Sequence, residues 1–290
     1  MLVTGALTSH SQGWPAMQQR LLTIEDRASD SPFVERIWTA RSERAGEFLS
    51  VVAGHWEMVV TRLHRRAFLT VRGPETRATP ADCPSDGDWV GVRFKLGTFW
   101  PAFLPGTLRD RRDVTLPGAS TRSFWLNGSA WEYPTYENAD TFVARLVRKG
   151  LIARDPIVET VLDGGRHGVS VRSAQRRFAR ATGITYAAYR TIERARYATN
   201  LLREGVPIID VVHRAGYYDQ PHLTRSLKYL IGQTPLEVAR ATRQLSFLYK
   251  TTSGGTSYGE SEGGRLNAIH DPDQVRGRHE PRAAAAGAVP

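Results

Sequence analysis

The sequence predicts an α+β protein of two domains, an antiparallel β-rich domain followed by an all-α domain. Near residue 137 the spacing of apolar residues changes from short strand-like segments to the spacing of helices. Positive charge is concentrated in the helical part, and 290 residues are enough for two domains. We expect a weakly ordered leader over residues 1–30, a β-rich domain over 31–136, a helical linker over 137–154, a helical domain over 155–248 and a disordered tail over 249–290.

The β-rich domain is indicated by short segments rich in Val, Phe, Trp and Thr, which clusters of Gly, Pro, Asp and Ser separate. This pattern is typical of an antiparallel sandwich or barrel. The expected strands are residues 33–41, 48–53, 56–63, 68–72, 89–94 and 113–116. Its tryptophans either line an apolar effector pocket or form the core, and the core is favoured because aromatic residues dominate such cores. They are Trp38, Trp56, Trp89, Trp100, Trp125 and Trp131.

Charge is distributed unevenly along the chain. Residues 166–243 hold fourteen Arg and Lys but five Asp and Glu, a formal charge of +9 out of +10 for the whole chain. This concentration indicates a polyanionic partner, with an arginine-rich source proteome as an equal alternative on charge alone. The single cysteine, Cys83, excludes an intrachain disulfide and a cysteine-based zinc site. We expect a soluble cytoplasmic protein with no membrane partner, because no segment resembles a membrane span or a signal peptide.

Two predicted helices lead into the basic segment. Phe142 and Leu146, followed by Gly150, predict a helix with a glycine stop, and Asp155 before Pro156 predicts the N-cap and first residue of a second helix. A third helix is predicted between the N-cap Ser170 and the stop Gly183. Its expected buried stripe is Val171, Ala174, Phe178 and Ala181, and its polar face is Arg172, Ser173, Gln175, Arg176 and Arg180. Taken alone, a solvated amphipathic helix is the favoured interpretation, but Arg and Gln also suit guanine and adenine in the major groove.

The same arrangement recurs further along the chain. A short helix over residues 208–214 is followed by a turn at Gly216, and Asp219 caps another helix. In that helix Leu223, Leu227 and Leu230 are expected to be buried, and His222, Thr224, Arg225 and Lys228 exposed. This order matches the helix-turn-helix plan, whose second helix enters the major groove. Residues 186–203 between the two units predict one helix of about 27 Å, a spacer suited to major-groove segments about 34 Å apart.

These residues resemble the double helix-turn-helix domain of AraC/XylS-type regulators. The most specific part is Ala215-Gly-Tyr-Tyr-Asp-Gln-Pro-His-Leu-Thr-Arg-Ser-Leu-Lys228 followed by Gly232-Gln-Thr-Pro235, and Arg194, Ala198, Leu201 and Leu202 fit the spacer helix. The resemblance implies a transcription factor that binds double-stranded DNA sequence-specifically. It implies base contacts by Arg172, Gln175, Arg176, Gln220, His222 and Arg225, with Ser173 and Thr224 beside them. Arg177 and Lys228 are expected to contact phosphate.

Two features depart from this pattern. Residues 163–168, before the first recognition helix, are longer and richer in glycine than the usual tight turn, so the first unit is expected to be distorted. Pro221 stands where many relatives carry a polar residue. Proline is harmless in the first turn of a helix but cannot donate a hydrogen bond to a base.

The N-terminal half resembles the cupin-like sensory barrels attached to such regulators, most clearly at residues 89–97. Many cupins are metal enzymes, and the alternative function is a cupin-type metal-dependent enzyme with a DNA-binding appendage. His55, Glu57 and His64 lack the His-x-His and carboxylate spacing of such sites, so packing or surface roles are favoured. No phosphate loop of the form G-x-x-x-x-G-K occurs. We therefore expect no metal, cofactor, catalytic residue or enzyme activity.

The leading hypothesis is a transcriptional regulator that is modulated by an unknown effector bound to the N-terminal domain. By analogy with the family, in which activation is the commoner mode, we expect an activator. The expected partners are double-stranded DNA, RNA polymerase and a small-molecule effector. A homodimer stays open, because two units in one chain already cover two groove segments. A nucleoid-associated protein that binds DNA without sequence preference is a third hypothesis, and the ratio of specific to random binding distinguishes it.

Overall fold

Antiparallel strands make up most of the N-terminal half. In the computed structural model, residues 21–110, 114–165, 168–241 and 245 are described. The strands are β1 (Leu22–Ala28), β2 (Val34–Ser42), β3 (Gly46–Ser50), β4 (Glu57–Leu63), β5 (Arg66–Arg72), β6 (Thr79–Cys83), β7 (Asp88–Phe94), β8 (Thr98–Phe99), β9 (Val114–Thr115), β10 (Gly118–Ser120), β11 (Ser123–Leu126), β12 (Ser129–Glu132) and β13 (Ala153–Arg154). The main expected strands therefore form, within a few residues of their predicted ends.

The largest sheet has six strands in the order β1-β2-β7-β4-β5-β9, all antiparallel. Three smaller sheets pair β10-β11-β12, β13-β8 and β3-β6. Strands β1 and β9 form the two edges of the large sheet, and no closed barrel is seen among the described strands. The N-terminal part is thus β-rich and antiparallel as expected, whereas the cupin-like barrel is not confirmed.

The leader expected over residues 1–30 includes a β-strand near its C-terminal end. Residues 22–28 form β1, which pairs with β2 from Leu22 opposite Ser42 to Ala28 opposite Arg36. The prediction was wrong there because charged and polar residues dilute the strand pattern, as is common in edge strands. Residues 1–20 of the leader and the tail over 249–290 lie outside the described residues.

One face of the large sheet packs against a helix and forms the N-terminal core. Apolar side chains of β2, β4, β5 and β7 contact Phe142 and Leu146 of helix α2 (Ala139–Arg148). Trp56, Trp100 and Trp131 are buried in this core. Trp38 is buried on the opposite face, where its indole crosses Gly91 so closely that a Cβ there would lie 2.0 Å from Trp38 Cε2. Trp89 is half-buried and Trp125 is 48% exposed, so the core interpretation holds for four of the six tryptophans.

The C-terminal part is helical, as the change in spacing predicts. Besides the short α1 (Pro105–Leu108) and α2, the helices are α3 (Pro156–Leu162), α4 (Val171–Thr182), α5 (Tyr186–Arg203), α6 (Ile208–Arg214), α7 (Gln220–Leu230) and α8 (Pro235–Ala239). The expected linker contains α2 and also β13, which pairs with β8 of the N-terminal part. All described residues lie in one compact unit. Among the described residues, no helix is both long and apolar enough to cross a membrane.

Candidate nucleic-acid interface

The first helix pair consists of α3 and α4. Asp155 caps α3 by accepting a hydrogen bond from the Ile157 backbone N–H at 3.0 Å, and Ser170 caps α4 by accepting from the Ser173 N–H at 3.2 Å. Gly183 ends α4 in the left-handed conformation, with φ of 80°. Both caps and the glycine stop confirm the sequence predictions. The connection over residues 163–170 has eight residues, which confirms that it is longer than a tight turn.

Helix α4 presents a polar face opposite its buried stripe. Ala174, Phe178 and Ala181 are buried, whereas Arg172, Gln175 and Arg176 are exposed and Ser173 is half-buried. Val171 was expected in the buried stripe, but it is 54% exposed. The prediction was wrong because Val171 is the first residue of α4, directly after the N-cap Ser170, and the first turn of the helix extends beyond the core. Val171 instead adds an apolar group to the exposed face.

Arg177 differs from the other arginines of α4. Its Nε and Nη2 atoms donate to the two carboxylate oxygens of Asp155 at 2.9 and 2.5 Å. The hydrogen bond to Asp155 raises the pKa of Arg177, and the guanidinium stays charged. A bidentate pair of this kind fixes the direction of the guanidinium plane. Arg177 therefore joins α4 to the start of α3, and its expected phosphate contact stays a prediction.

The second helix pair consists of α6 and α7, joined by residues 215–219. Gly216 adopts a φ of 66°, which explains the glycine of the turn. Tyr217 is buried, and its hydroxyl lies 3.1 Å from Ser226 Oγ on α7. The guanidinium of Arg194, on α5, lies over the Tyr217 ring at 4.8 Å. Burial raises the pKa of Tyr217, so its hydroxyl stays neutral. The contacts of Tyr217 with Arg194 and Ser226 anchor the turn against α5 and α7.

Helix α7 matches the expected division into a buried and an exposed face. Leu223, Leu227 and Leu230 are buried. Gln220, Arg225 and Lys228 are exposed, whereas His222 and Thr224 are half-buried rather than exposed. Since Pro221, Arg225 and Lys228 share the side opposite the three leucines, this side is free to approach a groove.

His222 and Thr224 are oriented by local hydrogen bonds. The Nδ1 atom of His222 accepts from the Tyr218 backbone N–H at 3.4 Å, and its ring packs edge-on against Tyr217 with centroids 5.1 Å apart. With Nδ1 engaged as an acceptor, Nε2 is the ring nitrogen that can donate. The hydroxyl of Thr224 donates to the Gln220 carbonyl at 2.9 Å. The Thr224 hydroxyl is therefore engaged within α7, and its methyl group is the part of the side chain without such a bond.

Four exposed cations lie on the polar faces of α4 and α7. Among the described residues, no acidic side chain forms an ion pair with Arg172, Arg176, Arg225 or Lys228. Unpaired guanidinium and ammonium groups on a protruding helix face can bind phosphate or base edges without first breaking an internal pair. The surface defined by Arg172, Gln175, Arg176, Gln220, Arg225 and Lys228 is called the polar recognition surface below.

Tyr218 is a candidate contact that sequence reasoning missed. Its side chain is 91% exposed and directly precedes the N-cap Asp219 of α7. The sequence contains two adjacent tyrosines after Gly216, and nothing local tells which one enters the core. The structure buries Tyr217 and exposes Tyr218. An exposed tyrosine beside a recognition helix can donate to phosphate through its hydroxyl.

Helix α5 links the two units. It has the predicted bounds, Tyr186–Arg203, and its 18 residues make it about 27 Å long. Ile192, Ala195, Thr199 and Leu202 of the predicted stripe are buried, and Ala188 is partly buried against the same cluster. A single uninterrupted helix thus spans the distance between the units, and residues 183–185 and 204–207 join it to α4 and α6.

The structure separates the histidines and carboxylates that were considered for a metal site. His55 Nε2 lies 2.8 Å from Glu35 Oε2, and Glu57 Oε1 accepts from Arg93 Nε at 2.7 Å. His64 lies in the turn after β4 and faces Asp86 at 3.4 Å. In the described part of the chain, no group of three His, Cys, Asp or Glu residues is placed to hold a metal ion.

Comparison with known proteins agrees with this geometry. Residues 165–241 match a family model described as a helix-turn-helix domain. The matched range includes α4, α5, α6, α7 and α8. The match supports an AraC-type helix-turn-helix domain in a DNA-binding transcriptional regulator. No curated protein and no solved structure matches the chain.

Proposed function

We propose that the protein binds promoter DNA sequence-specifically by placing α4 and α7 in two successive major-groove segments. The observation that carries the proposal is the polar recognition surface, which lies on two capped helices whose opposite sides are buried. Arginine and glutamine on such helices discriminate base edges, since Arg pairs with guanine and Gln with adenine. A helix of about 27 Å between the two units suits groove segments about 34 Å apart.

The test is selection of DNA from a random pool, followed by footprinting on the selected sequence. The proposal expects one enriched sequence with two protected segments, centred about one helical turn apart on one side of the duplex. Binding to this sequence should exceed binding to random DNA by at least about 10³-fold at fixed salt. Equal binding to both would favour the nucleoid-associated alternative and contradict the proposal.

Regulation through the N-terminal part belongs to the same proposal. Apolar residues of the N-terminal part pack into the cores of both helix pairs, so a change in the sheet domain reaches the DNA-binding part without a flexible linker. A small-molecule effector would act there, and an activator would also contact RNA polymerase. Transcription of a promoter carrying the selected sequence, with purified polymerase and the full chain, tests activation against repression. The two units of one chain suffice for two half-sites, and we propose no obligatory second copy.

The enzyme alternative requires a metal in the N-terminal part. The separate pairing of His55, Glu57 and His64 gives such a site no support, and we propose that the chain is not an enzyme. Metal analysis of purified protein separates the two classes. Stoichiometric iron or zinc would favour the cupin-type enzyme.

A further inference from the structure

We propose that the N-terminal part sets the distance between the two recognition helices, and so selects one spacing between two DNA half-sites. This inference rests on the proposed function. Residues 49–56 and 94–106 of the N-terminal part contact both helix pairs, and we call them the brace. Helix α5 alone would otherwise determine the distance.

The first half of the brace completes the core of the second helix pair. Leu49, Val51, Val52 and Ala53 are buried in the same apolar cluster as Val211, Leu223, Leu227 and Leu230. The Val52 backbone N–H donates to the Leu230 carbonyl at 3.3 Å. Just beyond α7, the Cβ position of Gly232 lies 3.2 Å from Leu49 Cδ1. The C-terminal end of α7 is therefore held by the N-terminal part.

The second half of the brace contacts the first helix pair in the same manner. Leu96 and Phe99 pack against the cluster that contains Val158 and Phe178. The Asp155 backbone N–H donates to the Gly97 carbonyl at 2.8 Å, directly before α3. At the end of α4, a Cβ on Gly183 would lie 2.7 Å from the Gly106 nitrogen and the Pro105 carbonyl carbon. Backbone approaches backbone there, and neither side can yield through a side-chain rotation.

The two halves of the brace are fixed to each other. Trp56 stacks on Phe94 with ring centroids 3.9 Å apart and planes 9° from parallel. Its Nε1 donates to the Thr98 carbonyl at 2.7 Å, inside the second half of the brace. Glu57 and Arg93, the next residues on each strand, are paired in register and joined by a buried ion pair. The points that hold α4 and α7 are thus joined to each other through the β4–β7 strand pair, whose ends the two halves of the brace flank.

A rigid brace makes a definite prediction about DNA. Inserting one base pair between half-sites moves the second by about 3.4 Å and rotates it by about 35°. A protein whose recognition helices cannot follow this movement loses the contacts of one unit. We expect the inserted base pair to weaken wild-type binding at least about tenfold.

The test measures affinities of full-length variants for the selected operator, for operators with one, two or five inserted base pairs, and for a single half-site. Gly183→Ala displaces α4 from residues 105–106, because the new Cβ meets backbone. Gly205→Ala is its matched control, since Gly205 has a φ of 83° against 80° for Gly183 but no heavy atom within 4 Å of its Cβ position. We call the loss of affinity caused by one inserted base pair the spacing penalty. In Gly183→Ala this penalty should fall to about two- or threefold, whereas the affinity for a single half-site should stay at the wild-type value. In Gly205→Ala, one inserted base pair should weaken binding as much as it does in the wild type.

A second pair of variants covers the case in which Gly183→Ala does not fold. Trp56→Phe retains an aromatic ring against Phe94 but loses the hydrogen bond to Thr98. Trp131→Phe is its control, because Trp131 is equally buried in the same core and donates to the Leu126 carbonyl, outside the brace. The spacing penalty should fall in Trp56→Phe and persist in Trp131→Phe.

The outcomes separate the two proposals. A wild type that binds one selected sequence but tolerates every insertion, or brace variants that keep the wild-type penalty, would overturn the brace and leave the proposed function standing. A wild type without preference for any sequence would overturn the proposed function, and the brace would fall with it.

Discussion

Arg177 and Asp155 form a bidentate pair, with Nε to Oδ2 at 2.9 Å and Nη2 to Oδ1 at 2.5 Å, that ties the middle of α4 to the N-cap of α3. The same carboxylate caps α3, so one side chain orients both helices of the first unit. This unit has the longer connection, over residues 163–170. The pair therefore holds together two helices that no tight turn holds.

The first prediction concerns this pair. Asp155→Ala removes both the cap and the pair and should lower the free energy of unfolding by about 1–2 kcal/mol. Arg177→Ala removes only the pair, whose arginine is partly solvent-exposed, and should cost less than about 1 kcal/mol. Urea unfolding measures both values. If Arg177 also contacts phosphate, as the sequence predicts, Arg177→Ala should reduce the slope of log affinity against log salt by about one. An unchanged slope would show that the guanidinium stays with Asp155 and does not contact phosphate.

Arg225→Ala tests base reading by α7. Arg225 is exposed opposite the buried leucines of α7, with no acidic partner among the described residues. Its removal should weaken binding to the selected operator by about 1–3 kcal/mol and relax the preference at one base position. Repeating the selection with the variant identifies that position. An equal loss on operator and random DNA would mean that Arg225 does not read a base.

Lys228→Ala tests phosphate contact on the same helix. Lys228 lies one turn further along α7, on the same side as Arg225. Its loss should weaken binding to operator and random DNA alike, and the slope of log affinity against log salt should fall by about one. Titrations at four or five salt concentrations measure the slope. A loss confined to the operator would assign Lys228 to base reading instead.

The acid stability of the protein should depend on Glu35. Burial alone would raise the pKa of this carboxyl, but the charge of His55, the hydrogen bond from His55 and the charges of Arg93 and Arg196 lower it from 4.5 to about 2. Because the pKa of Glu35 is lower in the folded protein than in the unfolded chain, its ionised carboxylate stabilises the fold fully above pH 4.5. This stabilisation is lost as the pH falls towards 2. Since a third of the Glu35 side chain is exposed, the contribution is on the order of 1–2 kcal/mol.

Glu35→Gln is the corresponding variant. Its free energy of unfolding should fall less steeply than that of the wild type between pH 5 and about 2.5. Glu132→Gln, which removes an exposed carboxylate on β12, is the control and should retain the wild-type slope. If Glu35→Gln and the wild type lose stability in parallel, Glu35 does not carry the acid sensitivity.

Gly216 offers a test of backbone conformation in the second turn. Its φ is 66°, and nothing lies within 4 Å of its Cβ position, so a substitution meets conformational strain but no steric clash. Gly216→Ala should cost about 1–2 kcal/mol, and Gly216→Asn less, because asparagine tolerates the left-handed region better. Thermal unfolding of the two variants measures the difference. An equal effect would indicate that something other than φ determines the choice of glycine.

Local signals made the helical part predictable. Ser170, Gly183, Asp155 and Asp219 act within three or four residues of their partners, so their roles follow from the sequence. The bounds of α5 were predicted for the same reason. By contrast, the burial of residues 49–53 among the helices depends on a contact with residues more than 150 positions away, which no local pattern encodes. The pairing of β13 with β8 and the choice between Tyr217 and Tyr218 are equally non-local.

The central claim is that α4 and α7 each read one half-site. The most direct measurement combines Arg172→Ala and Arg225→Ala with base substitutions in either half of the selected operator. The account predicts that Arg172→Ala becomes insensitive to substitutions in one half and Arg225→Ala to substitutions in the other, each retaining full sensitivity to the remaining half. If both variants lose sensitivity to the same half, or to neither, the two helices do not read DNA as separate units.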